Sequence, residues 1–75
     1  MERDLYWQER GLNLGAGFKY MDAPRSTKSM HQAIEDLSLD HLWVIYPGTK
    51  SYALTEHITV LPLRDMGKIQ AWSRS

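Results

Sequence analysis

The chain contains no cysteine. That removes disulfide staples, thiol nucleophiles and every zinc site built on cysteine pairs. Histidine is scarce: His31, His41 and His57 stand ten and sixteen residues apart, so no two share a helical face. Neither charge is in excess, because nine Lys and Arg balance nine Asp and Glu. A neutral chain lacks the basic surplus of a dedicated nucleic-acid binder, although a local basic patch stays open. Neutrality also weakens repulsion between copies and favours self-association. Long apolar runs are missing, and nothing approaches the ~18 residues of a membrane helix. Met1-Glu2-Arg3-Asp4 is charged rather than apolar, which speaks against a signal peptide. The expected compartment is therefore the cytoplasm, with no membrane among the partners.

What is present fits one small domain. A chain of 75 residues has no room for two cores. A domain this size buries only roughly 60% of the surface its unfolded chain exposes, so a partner commonly adds stability.

The clearest element is a helix from about Thr27 to Leu37. Met30, Ala33, Ile34 and Leu37 form one apolar stripe at i, i+3, i+4 and i+7. Ser26 or Thr27 supplies the cap, and Pro24 marks the loop before it. Leu42-Trp43-Val44-Ile45-Tyr46 is apolar without alternation, the habit of a strand covered on both faces. Pro47-Gly48-Thr49-Lys50 reads as a tight turn. Ser51 to Leu54 is a short extended piece, and Ile58 to Leu61 is another strand. Pro62 places that strand's end at an edge or a sheet exit. Upstream, Leu12 to Tyr20 is extended but weakened by glycine, with Phe18 and Tyr20 on one face and Lys19 on the other, and Phe18-Lys19-Tyr20 leads into the βαβ unit. Leu5-Tyr6-Trp7 is a further short strand. Met66, Ile69 and Trp72 fall at helical spacing in the tail.

The expected fold is α/β: a small mixed β-sheet of four or five strands, a right-handed βαβ unit and one main helix. Residues 1–63 form the domain and 64–75 a tail, with a short helix in it. One helix covers one face of the sheet. The other face needs the N-terminal segment, the tail or a second copy of the chain.

Several stretches carry a family resemblance. They are Gly17-Phe18-Lys19-Tyr20-Met21-Asp22-Ala23-Pro24, Thr27-Lys28-Ser29-Met30, Glu35-Asp36-Leu37, Asp40 to Gly48 and Ile58 to Leu63. Together they resemble the extreme C-terminal part of prokaryotic AAA-type ATPases that end in a domain similar to PD-(D/E)XK nucleases. The resemblance implies a short stand-alone remnant of that domain. No G-x-x-x-x-G-K-[ST] phosphate loop occurs, so ATP hydrolysis is not expected. In such nucleases an Asp and an acidic residue hold a divalent metal, and a Lys helps position water. Lys19 aligns with that lysine, but Gly17 stands at the acidic position. The strand for the earlier Asp looks deleted, and Asp4 or Glu9 replaces it only if the fold brings them round to Lys19.

The sequence thus predicts no enzyme, no catalytic residues, no metal site and no cofactor. It predicts a non-catalytic structural or protein-interaction remnant, with a homodimer or another protein as partner. The alternative is weak nucleic-acid or divalent-metal binding at a corner of Lys19, Asp22 and Arg25, with Lys28 beside it at the helix N-terminus. Its bland counterpart is a loop aspartate among surface cations.

Overall fold

The computed structural model describes residues 3–69. Five strands form one mixed sheet, with one α-helix and a short 3-10 turn, giving a small α/β fold. The strands are β1 (Arg3–Glu9), β2 (Leu12–Phe18), β3 (His41–Tyr46), β4 (Tyr52–Thr55) and β5 (Ile58–Pro62). The helix is α1 (Lys28–Asp36). Across the sheet the order is β1-β2-β3-β5-β4. β2, β3 and β5 are parallel neighbours, and β1 and β4 flank them antiparallel.

The unalternating run Leu42 to Tyr46 lies at the centre, between β2 and β5, and all five residues are buried. A central strand has no solvent face, so both sets of its side chains are apolar. Leu42, Val44 and Tyr46 join Met30 of α1, Leu39, Ile58 and Val60 in one cluster. Trp43 and Ile45 join Leu14, Ala16, Leu61 and Ile69 in a second, on the opposite face. The uncovered face expected from the sequence is thus packed by the sheet's own side chains and by Ile69. β1 lies in the plane of the sheet as an edge strand, and of it only Trp7 packs on that cluster.

The helix is one residue shorter at each end than its spacing predicts, because those residues are its caps. Thr27 accepts the Met30 amide at 3.3 Å through Oγ1. At the far end Leu37 is the C-cap, and Ser38 adopts a left-handed φ of 50°. The Ser38 amide reaches Glu35 O, and the Leu39 amide reaches Ile34 O at 2.9 Å. These two bonds close a Schellman motif, with Leu39 packing back toward Ile34. Leu37 has therefore left the helix and is 45% exposed, so the apolar stripe ends at Ile34.

Two strands differ from expectation. The strand before the helix starts at Leu12 as expected but ends at Phe18, so Lys19 and Tyr20 fall outside it. Its glycines do not break it, because Tyr6 and Leu39 pack over Gly15 and supply the apolar cover it lacks. Lys19 lies just past the strand, where its amide still donates to Ile45 O at 2.8 Å. The N-terminal strand expected at Leu5-Tyr6-Trp7 is present and longer, running from Arg3 to Glu9. It is β1, joined to β2 by the two-residue loop Arg10-Gly11, whose φ angles are 53° and 80°. Two left-handed residues define the tight hairpin turn that matches strand twist, and Gly11 adopts one of them without strain.

Asn13 ties this hairpin to the chain after the helix. Its amide donates to Asp40 Oδ2 at 2.8 Å, its carbonyl accepts the Asp40 amide at 2.7 Å, and its Nδ2 donates to Ser38 O. Residues 67–69 are helical. The third tail position expected on that helix, Trp72, lies outside the described residues.

Candidate functional site

The C-terminal ends of parallel strands are where open α/β sheets place ligands. Here β2, β3 and β5 end together, at Phe18, Tyr46 and Pro62. Between them lies a hollow of ≈ 50 Å³, lined by Phe18, Tyr20, Ile45, Tyr46, Pro47 and Leu63. A small-molecule site takes roughly 300–1,000 Å³, so this one fits a few waters or one inserted side chain. A larger depression of ≈ 590 Å³ lies against α1, but Lys28, Ser29, Gln32, Ala33, Asp36 and Leu37 all come from that helix and its cap. No second element converges on it.

The predicted corner starts at the same sheet end. Lys19 follows β2, Asp22 lies in the bend at 21–23, Arg25 precedes the helix and Lys28 opens it. Asp22, Arg25 and Lys28 are exposed, and Lys19 is half-buried. Among the described residues no hydrogen bond or ion pair joins these four side chains to one another. Arg25 does lie near Tyr52, whose hydroxyl donates to Pro24 O at 2.7 Å. The Tyr52 phenol is raised, first by burial and then by Tyr46, and Arg25 opposes the rise.

The hairpin settles which acidic residue approaches Lys19. Asp4 pairs directly with Gly17, two residues before Lys19. Glu9 pairs with Leu12 at the other end of the hairpin. Asp4 and Glu9 stand an odd five positions apart, so the two also face opposite sides of the sheet. Asp4 bears electrostatically on Tyr6, two residues along the same strand face. Partial burial first, and then the Asp4 charge, push the Tyr6 pKa up. Sequence reasoning placed the acidic approach on a missing strand. The signal that was present is Glu9-Arg10-Gly11-Leu12, a two-residue turn between extended segments.

The histidines form a second cluster that sequence spacing did not reveal. The register Leu42↔Ile58 sets His41 and His57, each one residue earlier, side by side. His41 Nε2 lies 2.7 Å from Thr59 Oγ1, and its ring tilts against Trp43 at 4.6 Å. Burial first, and the neighbouring His57 second, hold the His41 pKa below its ordinary value. His57 Nδ1 lies 3.3 Å from Asp40 O, and His31 is exposed on α1. Among the described residues no group of three or more His, Asp or Glu is placed to hold a metal ion. No helix there is long and apolar enough to cross a membrane.

No family model matches the chain, and no solved structure matches it. Two curated proteins do, one from Mycobacterium bovis and one from Mycobacterium tuberculosis, both uncharacterized. Each is 33% identical over 61 residues, covering 81% of this chain. The chain spans 14% of the length of these relatives, so it is similar to a short part of two much longer bacterial proteins.

Proposed function

We propose that the chain is a non-catalytic structural or protein-interaction module, a reduced form of an ATPase-associated nuclease-like domain. In this reading β2, α1 and β3 are its right-handed βαβ core, and Lys19 is a vestige of the nuclease lysine. The observation that carries the reading is the pairing of Asp4 with Gly17. Metal-dependent cleavage needs oxygen ligands converging on a hard cation, and glycine offers no side-chain oxygen. A single carboxylate is a poor substitute for a set of converging oxygens. The similarity to a short part of longer proteins supports a domain suited to packing against others. The test is cleavage of single- and double-stranded DNA and RNA with Mg²⁺ or Mn²⁺. The reading expects none above background, and activity abolished by Lys19→Ala overturns it.

A second reading rests on a different observation. Lys19, Arg25 and Lys28 occur within ten residues of chain, and no ion pair neutralises them among the described residues. This is the footprint of a weak anion site for a nucleic-acid backbone. Such binding strengthens at low salt and weakens steeply as salt rises. No DNA or RNA binding at low salt removes this reading.

A further inference from the structure

Two strands have an open outer edge. β4 has four residues, and its ladder with β5 shifts between Ala53 and Thr55. A short, irregular edge is poor at accepting another strand. β1 is different: it has seven residues, pairs with β2 at every one of them without a shift, and no described strand pairs with its outer edge.

The hairpin loop decides which backbone groups that edge presents. In a two-residue loop the flanking pair, here Glu9 and Leu12, exchanges both ladder hydrogen bonds. Bonded and non-bonded pairs then alternate. Arg3, Leu5, Trp7 and Glu9 turn their N–H and C=O groups to β2, and Asp4, Tyr6 and Gln8 turn theirs outward.

We propose that β1 pairs antiparallel with β1 of a second copy of this chain, about a two-fold axis at Tyr6, merging two sheets into one. The proposal rests on the interaction-module reading and names its partner. Centring on Tyr6 sets the outward groups against each other: Tyr6 meets Tyr6, and Asp4 meets Gln8. The remaining positions are self-complementary. Leu5 falls opposite Trp7 twice. These are the non-bonded pairs, where side chains come closest. Leu5 is 57% exposed in the single copy, and Trp7 is already stacked on Trp43 at 6.1 Å. Shifting the centre loses this match. An axis at Leu5 sets Leu5 against itself and takes it from Trp7, and an axis at Trp7 sets Leu5 against Glu9. Charges on an edge normally repel stray strands. Here the Leu5–Trp7 match favours one register of one partner. A strand ribbon buries less than the ~1,600 Å² of a standard interface, so the association is reversible and concentration-dependent.

The experiment is sedimentation and amide hydrogen exchange on the full chain, from micromolar to millimolar protein. The mass is expected to rise from 8.7 kDa toward twice that value with concentration. Exchange at Asp4, Tyr6 and Gln8 slows about tenfold or more as the dimer comes to dominate, while the outer edge of β4 is unaffected. Leu5→Lys, at an exposed position, keeps the circular dichroism of the fold and stays monomeric. A monomer at every concentration overturns the inference, as does a dimer that leaves those three amides exchanging at the monomer rate. Either result leaves the non-catalytic reading to its own nuclease test.

Discussion

Asp4 and Gly17 are direct cross-strand partners at the open end of the β1–β2 hairpin. Gly17 offers Asp4 no side chain, and the Asp4 charge acts on the Tyr6 hydroxyl. Asp4→Asn removes that charge. The Tyr6 pKa should then fall back toward its ordinary 10.0 but stay above it, because burial is the larger cause. An NMR titration of the ring signals measures this. A Tyr6 pKa that does not move places Asp4 elsewhere.

Ser38 ends the helix in a conformation that suits glycine. Its φ of 50° costs a side-chain-bearing residue roughly 1 kcal/mol, and Gly is the preferred residue at this position of a Schellman motif. Ser38→Gly should stabilise the protein by about 0.5–1 kcal/mol in urea unfolding, because lost strain exceeds the added freedom of the unfolded chain. Destabilisation would mean that the Ser38 side chain has a role its geometry does not display.

Tyr46 folds its ring over Gly48, and a Cβ at Gly48 would collide with it. The same tyrosine's hydroxyl donates to Lys50 O at 2.7 Å and accepts the Lys50 amide at 3.0 Å. One side chain thus shapes the whole turn. Gly48→Ala should cost about 1–3 kcal/mol by overpacking, and Tyr46→Phe about 1–2 kcal/mol for the lost bonds. If the ring already had to move in Gly48→Ala, combining the two changes costs less than their sum.

His41 makes stability depend on pH. Its pKa is lower folded than its ordinary 6.5, so the unfolded chain takes up the proton first as pH falls. The contribution is complete well above 6.5 and is lost as pH falls from there toward the folded-state value. Urea midpoints should decline on acidification from about pH 8 to 5. His41→Gln, which keeps a group near Thr59, should flatten that decline. A midpoint that rises on acidification contradicts the burial of His41.

The helix and the central strand were legible because each carries its pattern within itself. Met30, Ala33 and Ile34 repeat at helical spacing, and Leu42 to Tyr46 is apolar throughout. β1 and β2 were harder to read, since Gly15 and Gly17 argue against a strand on propensity. Tyr6 across the strand pair and Leu39 after the helix make Gly15 a packed position. The site was less legible still. That Asp4 and not Glu9 faces the position two before Lys19 depends on register, and register depends on a loop of two residues at Arg10-Gly11. The neighbourhood of His41 and His57 depends in the same way on the parallel register of β3 and β5. Spacing along the chain carries neither.

If the corner of Lys19, Asp22 and Arg25 is the vestige proposed above, it holds no metal. The most direct test is a Mn²⁺ titration followed by amide line broadening. The account predicts weak, diffuse broadening over exposed carboxylates, with no focus. Broadening concentrated at Asp4, Gly17, Lys19 and Asp22 at low metal concentration would contradict it and restore a metal-dependent site to this chain.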